Sequence, residues 1–213
     1  MGRYAPPAET EQIAATLRKA AAAFRDADVR FALAAGVACW ARGGPPPSND
    51  LDFAVREEDG PRALAALEAA GMRTERPLEN WLLKAYDGEV MIDLIWDFEG
   101  LSDVEVLLGR ADTLPVEAVD MPVLRLEDVF VSRLCAMTEH HLDFSGPLAN
   151  ARALREQVDW DEVRRRTECS PYAKGFLAML EALGIIPPAG RGVEAPAPTG
   201  AEPHARVRVV GGA

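Results

Sequence analysis

Apolar residues recur at helical spacing from Thr10 to Asp26, where Ile13, Leu17, Ala20 and Phe24 share one face and Thr10 is placed to cap the first turn. Val29 to Ala35 is a short continuous apolar run and reads as a buried strand. Gly36 ends it, and Val37 to Ala41 has room for one or two helical turns. Arg42 to Ser48 carries two glycines and three prolines and must be a loop. Asp50 to Val55, DLDFAV, alternates acid and apolar residues with the period of a strand. Pro61 to Ala70 reads as a helix with proline in its first turn and Gly71 just past its end. Trp81 to Tyr86 and Val90 to Trp96 are strand-like runs flanking Asp87-Gly88, a hairpin signal. Val116 to Leu124 is a further short strand or a crossing loop.

Beyond Glu127 the pattern becomes wholly helical. Leu126, Phe130, Leu134 and Met137 mark one helix. Leu148, Ala151, Leu154 and Val158 mark a second, and Tyr172, Phe176, Leu180 and Leu183 a third. The change near residue 125 predicts an α/β core over 1–125 followed by a helical subdomain over 126–186. Residues 187–213 are rich in Pro, Gly and Ala with almost no large apolar side chain, which predicts a disordered tail.

A chain of 213 residues, about half of them apolar, suits a core with a helical appendage. The formal charge of -11 repels a bare phosphate backbone, so a nucleic-acid partner is not expected except as a tRNA-like acceptor. The one dense basic run, Arg164-Arg165-Arg166, reads as a solvated helix face. Cys39, Cys135 and Cys169 show neither metal-ligand nor redox spacing. With no leader-like apolar segment and no run long enough to span a bilayer, the expectation is a cytoplasmic protein with no membrane partner.

The chemistry concentrates in three acids. Asp50 and Asp52, two apart on a strand, point to the same face and can clamp a cation between them. Asp93 lies inside the apolar run VMIDLIW, where a charge is rarely left unpaired. If the two strands are neighbours, three carboxylates meet and repel one another unless a cation is present. Hard oxygen donors of this kind suit magnesium, or manganese in its place. Gly36 follows a strand and opens a short helical stretch, a place where backbone N–H groups can hold phosphate oxygens.

This order resembles the DNA polymerase β-like nucleotidyltransferase superfamily: a small turn, then acid–apolar–acid, then a lone acid on a later strand. The turn is Ala35-Gly36 in LAAGVA, the pair is Asp50-Leu51-Asp52 in SNDLDFAV, and the lone acid is Asp93 in MIDLIW, with 13 residues between Gly36 and Asp50. The helical part, LEDVFVSRLCAMTEHHLDF, is more distantly similar to small bacterial proteins related to the toxin nucleotidyltransferases of abortive-infection systems. The resemblance implies an α+β fold, a polymerase β-type core with a mixed sheet followed by C-terminal helices. It implies a two-metal transfer of a nucleoside monophosphate from a nucleoside triphosphate to a hydroxyl on a small molecule, a protein or an RNA end. Asp50, Asp52 and Asp93 would be the catalytic metal ligands, with Asp93 on the acceptor side. Gly36, Ser48 and Arg42 would face the triphosphate. Two departures stand out. Ala35 replaces the first glycine of the turn, and Arg42 is the only cation in the loop before the acid pair. The alternative is a weak or inactive nucleotide-binding or interaction module on the same fold, and a third reading is a plain cation-binding domain.

Other features read as structural. Adjacent helical histidines such as His140 and His141 point about 100° apart and cannot share an ion. Trp81 and Trp96 are expected in the core rather than stacked on a base, and Lys84 in an exposed salt bridge rather than on a phosphate.

Overall fold

The computed structural model describes residues 7–47 and 50–190. Helix α1 (Pro7–Asp26) begins three residues before the expected cap, with proline at its first position. β1 (Phe31–Leu33) leads into α2 (Ala35–Trp40), and β2 is Asp50–Val55. A turn of 3-10 helix precedes α3 (Gly60–Ala69). β3 (Arg73–Glu75), β4 (Leu82–Asp87) and β5 (Val90–Ile95) follow, then α4 (Val104–Gly109), β6 (Asp112–Val116) and β7 (Val119–Val123). The helices α5 (Leu126–Cys135), α6 (Ser145–Leu154), α7 (Trp160–Arg166) and α8 (Pro171–Ala182) complete the described chain.

The strands form one mixed sheet in the order β3-β4-β5-β2-β1-β7-β6. β2 lies between β5, to which it is parallel, and β1, to which it is antiparallel. The β4–β5 hairpin turns on Gly88-Glu89, one residue later than expected, with Gly88 at φ 64° as a two-residue turn requires at its first position. β6 and β7 form a second hairpin where a single strand or crossing loop is expected. Its turn residues, Glu117 and Ala118, both hold positive φ without the usual Gly or Asn.

The alternation in DLDFAV decides what sits on each face of β2. Leu51, Phe53 and Val55 are buried, and Phe53 meets Phe24 of α1 and Phe31 of β1 with ring centroids 5.1 and 5.8 Å away. Each such tilted or edge-on contact is worth about 0.5–1.5 kcal/mol beyond the area it buries. α1 is also pinned across the sheet by Thr16 and Lys19, which donate to Asp87 at the end of β4.

The C-terminal helices attach through buried charge. Asp128, 1% exposed in the first turn of α5, accepts from Arg110 beyond α4 and from Arg166 at the end of α7. Glu127, also buried, accepts from the Asp159 backbone N–H. Arg164 pairs with Asp161 and with Glu181 of α8. The basic run is therefore an inter-helix clamp, with Arg165 alone exposed, and not a solvated face. The helix expected to reach Val158 ends at Leu154, because Asp159 starts a new one, accepting from Asp161 and Glu162 N–H. Of the expected tail, residues 187–190 are described and 191–213 lie outside the described residues. No helix among the described residues is long and apolar enough to cross a membrane.

Removing one partner of a buried ion pair strands the others in a poorly solvated place. Asp128→Ala should therefore cost roughly 3 kcal/mol, lowering Tm by about 6–12 °C for a chain of this size. A melt within 2 °C or so of wild type would show that Asp128 does not hold the helices to the sheet.

Candidate active site

The parallel pairing of β2 and β5 sets Asp52 directly opposite Asp93. Asp50, two residues earlier on β2, lies on the same face as Asp52. The three acids picked out in the sequence are thus gathered on two adjacent central strands. Asp50 is exposed, while Asp52 and Asp93 are partly buried. Burial first, and then the neighbouring charges of Asp93 and Asp50, push the Asp52 carboxyl up to about 7, while Lys84 and Arg133 pull it the other way. Burial likewise holds the Asp93 carboxyl above its usual range, against the opposing pull of its bond to Lys84.

The turn between β1 and α2 is stapled beside the acids. Ala34 N–H donates to the Asp52 carbonyl at 2.9 Å. Ala35 then takes φ 41°, the left-handed region that disfavours a Cβ, at the position where the superfamily pattern carries glycine. A Cβ built on Gly36 would meet nothing within 4 Å, so a ligand can approach the backbone there closely. Both residues line a cavity of about 900 Å³ that Asp50 and Asp52 share.

The far wall of this cavity comes from α5 and α6. Arg133, exposed on the last turn of α5, lines it and makes no ion pair among the described residues. Arg42, expected at the triphosphate, is engaged elsewhere: its guanidinium donates to Asp112 at 2.7 Å and to the Leu124 carbonyl at 3.2 Å. Ser48 lies outside the described residues. The mouth is acidic and aromatic, with Asp97, Glu99 and Trp81. Trp81 is 41% exposed, so the core reading fails for it, whereas Trp96 packs partly buried against the core. The cavity also includes Cys39 and Cys135, and burial pushes both thiols up, that of Cys39 to about 12, away from the thiolate form a nucleophile needs. His140 and His141 sit in an exposed turn after α5 and not on a helix.

Asp50 and Asp52 fit a divalent cation. They are hard carboxylate donors on one face, and neither side chain accepts a hydrogen bond among the described residues. Asp93 is differently placed. Lys84, its cross-strand partner on β4, donates to both carboxylate oxygens, at 2.7 and 3.0 Å. Among the described residues no three His, Cys, Asp or Glu side chains converge closely enough to share one ion.

A family described as uncharacterised nucleotidyltransferase matches residues 8–193. No curated protein sequence matches the chain. The solution structure of the antibiotic-resistance factor ANT(2″)-Ia is similar in fold, with a TM-score of 0.58 and 16% identity over 82% of this chain and 96% of that one. A crystal structure of ANT(2″)-Ia in complex with adenylyl-2″-tobramycin gives a TM-score of 0.56 and 14% identity over 79% of this chain and 98% of its own.

The left-handed backbone at Ala35 yields a direct test. Ala35→Gly should stabilise the protein by about 1 kcal/mol by relieving this strain, raising Tm by about 2–4 °C. A lowered Tm would mean that the turn is not strained at this residue.

Proposed function

The chain belongs to the uncharacterised nucleotidyltransferase family, and we propose that it transfers a nucleoside monophosphate from a triphosphate to a hydroxyl of a small, amino-bearing molecule. The observation that carries this reading is the register of β2 on β5, which sets Asp93 directly beside Asp52, while Asp52 and Asp50 line a large cavity. The triphosphate lies between the Ala35-Gly36 turn and α5. Backbone at Gly36 accepts its close approach, and the Arg133 guanidinium meets its phosphate oxygens. A divalent cation held by Asp50 and Asp52, magnesium or manganese, supplies neutralisation of phosphate charge when bound.

The acceptor approaches from the side of Asp93 and the acidic mouth. Asp93 orients its hydroxyl and takes the proton as the oxygen bonds to the α-phosphorus. The bond from that phosphorus to the bridging oxygen breaks, and pyrophosphate leaves with the electron pair. Asp97 and Glu99 favour a neutral or cationic acceptor over an RNA end, and Trp81 offers a face for a sugar ring or an ammonium group. The complex of the similarly folded ANT(2″)-Ia with adenylyl-2″-tobramycin supports the choice of a small amino-bearing acceptor. An inactive module on the same fold would leave the Arg133 cavity and its acids without a task.

Calorimetry with each ribonucleoside triphosphate should show binding that needs magnesium and is lost in Asp50→Ala. Equal binding by this variant and wild type would overturn the assignment. Mass spectrometry of amino-bearing polyols incubated with enzyme, triphosphate and magnesium should reveal a nucleoside monophosphate adduct. Asp93→Asn should lower transfer at least about a hundredfold, or roughly 2.7 kcal/mol in the barrier. Its triphosphate affinity should fall less than about tenfold. Loss of triphosphate binding in Asp93→Asn would place that residue on the wrong side of the site.

A further inference from the structure

Lys84 is the one cation bonded to the acid cluster among the described residues, and neither the family match nor the neighbouring folds assign it a task. Its position follows from the hairpin. β4 pairs antiparallel with β5, and the register sets Lys84 directly across from Asp93, as β2 sets Asp52 on the other side. Asp93 is therefore flanked on one sheet face by a carboxylate and by an ammonium. The ammonium takes both of its oxygens, at 2.7 and 3.0 Å, with the side chains only 22% and 15% exposed. Each oxygen keeps a lone pair that can accept from a neutral hydroxyl, but a metal ion would have to share the carboxylate with the ammonium. An ion approaching Asp93 would also meet a fixed positive charge within hydrogen-bond distance. The adjacent pair has no such competitor, since neither Asp50 nor Asp52 makes a salt bridge among the described residues.

We propose that Lys84 stands in for the acceptor-side metal ion, so that this site takes one divalent cation, on Asp50 and Asp52, and leaves Asp93 as a metal-free carboxylate held by Lys84. This rests on the reading of Asp50 and Asp52 as metal ligands and refines it. Lys84 is a positioning residue. It fixes the Asp93 carboxylate toward the acceptor side and supplies in a permanent form the positive charge that a second ion would bring. The arrangement also explains why the three acids are neighbours on the sheet yet do not converge on a common point.

The test counts ions on the full-length protein, titrated with manganese alone and followed by calorimetry and by the electron paramagnetic resonance of free Mn²⁺. Wild type should bind one ion per chain, and Asp93→Asn should bind one with affinity within about threefold. Lys84→Met should bind two, and the double variant Lys84→Met/Asp93→Asn should return to one. Lys84→Arg, which keeps the charge, should also bind one. Thermal melts of each variant establish that it is folded. If Lys84→Met melts below the working temperature, Lys84→Gln takes its place. Two ions on wild type, with one lost in Asp93→Asn, would overturn the proposal, as would a folded Lys84→Met that binds only one. If Asp50→Asn retains the single wild-type ion, the assignment of the metal to the acid pair fails, and the proposal falls with it. Failure of the proposal alone is recognised by an ion that Asp50→Asn loses.

Discussion

Everything in this molecule turns on holding like charges together in the middle of a sheet. The parallel register of β2 on β5 brings Asp52 against Asp93, with Asp50 one step along the same face. Left to themselves such groups repel, and the rise of the Asp52 carboxyl to about 7 comes from burial first and from that repulsion second. The strands are held in this register by their opposite faces. Phe53 is locked among Phe24 and Phe31, and Leu51 and Leu94 are fully buried. A one-residue slip would exchange the two faces and drive the acids into that core. The apolar side of DLDFAV therefore fixes where its acidic side must stand.

Around this pair of strands the rest of the fold supplies compensating charge and an enclosing wall. Lys84 comes from β4 on one side, while Arg133 comes from α5 across the cavity. α5 can reach there because its first turn is tied down twice, through Asp128 to Arg110 and Arg166 and through Glu127 to the start of α7. Stability and function meet in this helix. Its N-terminal end anchors the helical part to the core, and its C-terminal end offers the site the Arg133 guanidinium, which makes no ion pair among the described residues.

The central strands and their acids were legible because two simple signals agreed. DLDFAV has the period of a half-buried strand, and Asp93 interrupts an apolar run that otherwise needs no charge. The glycine turn was legible because Gly36 follows an apolar strand and opens a helical stretch, and the structure adds that Ala35 takes a glycine-like φ. What the sequence hid was set by partners far along the chain. Arg42, the nearest cation in sequence, is drawn off to Asp112 on β6, a strand with no distinct signal because its turn residues Glu117 and Ala118 lack glycine. Arg133 could be found only once α5 was known to pack on α2, since the apolar spacing of Leu126, Phe130 and Leu134 marks the buried face and not its flank. α4 was missed because Asp103, its N-cap, precedes only six helical residues. For Lys84 the sequence suggests only an exposed salt bridge; its half-buried pairing with Asp93 depends on the hairpin register and hence on a turn one residue later than Asp87-Gly88 suggests.

The account is tested most directly by anomalous diffraction from crystals grown with manganese and a non-hydrolysable triphosphate. It predicts a single manganese peak between Asp50 and Asp52, with the triphosphate running from there toward Gly36 and Arg133. Lys84 should remain bonded to Asp93. A triphosphate bound away from the β2–β5 face, or manganese coordinated without either Asp50 or Asp52, would contradict it.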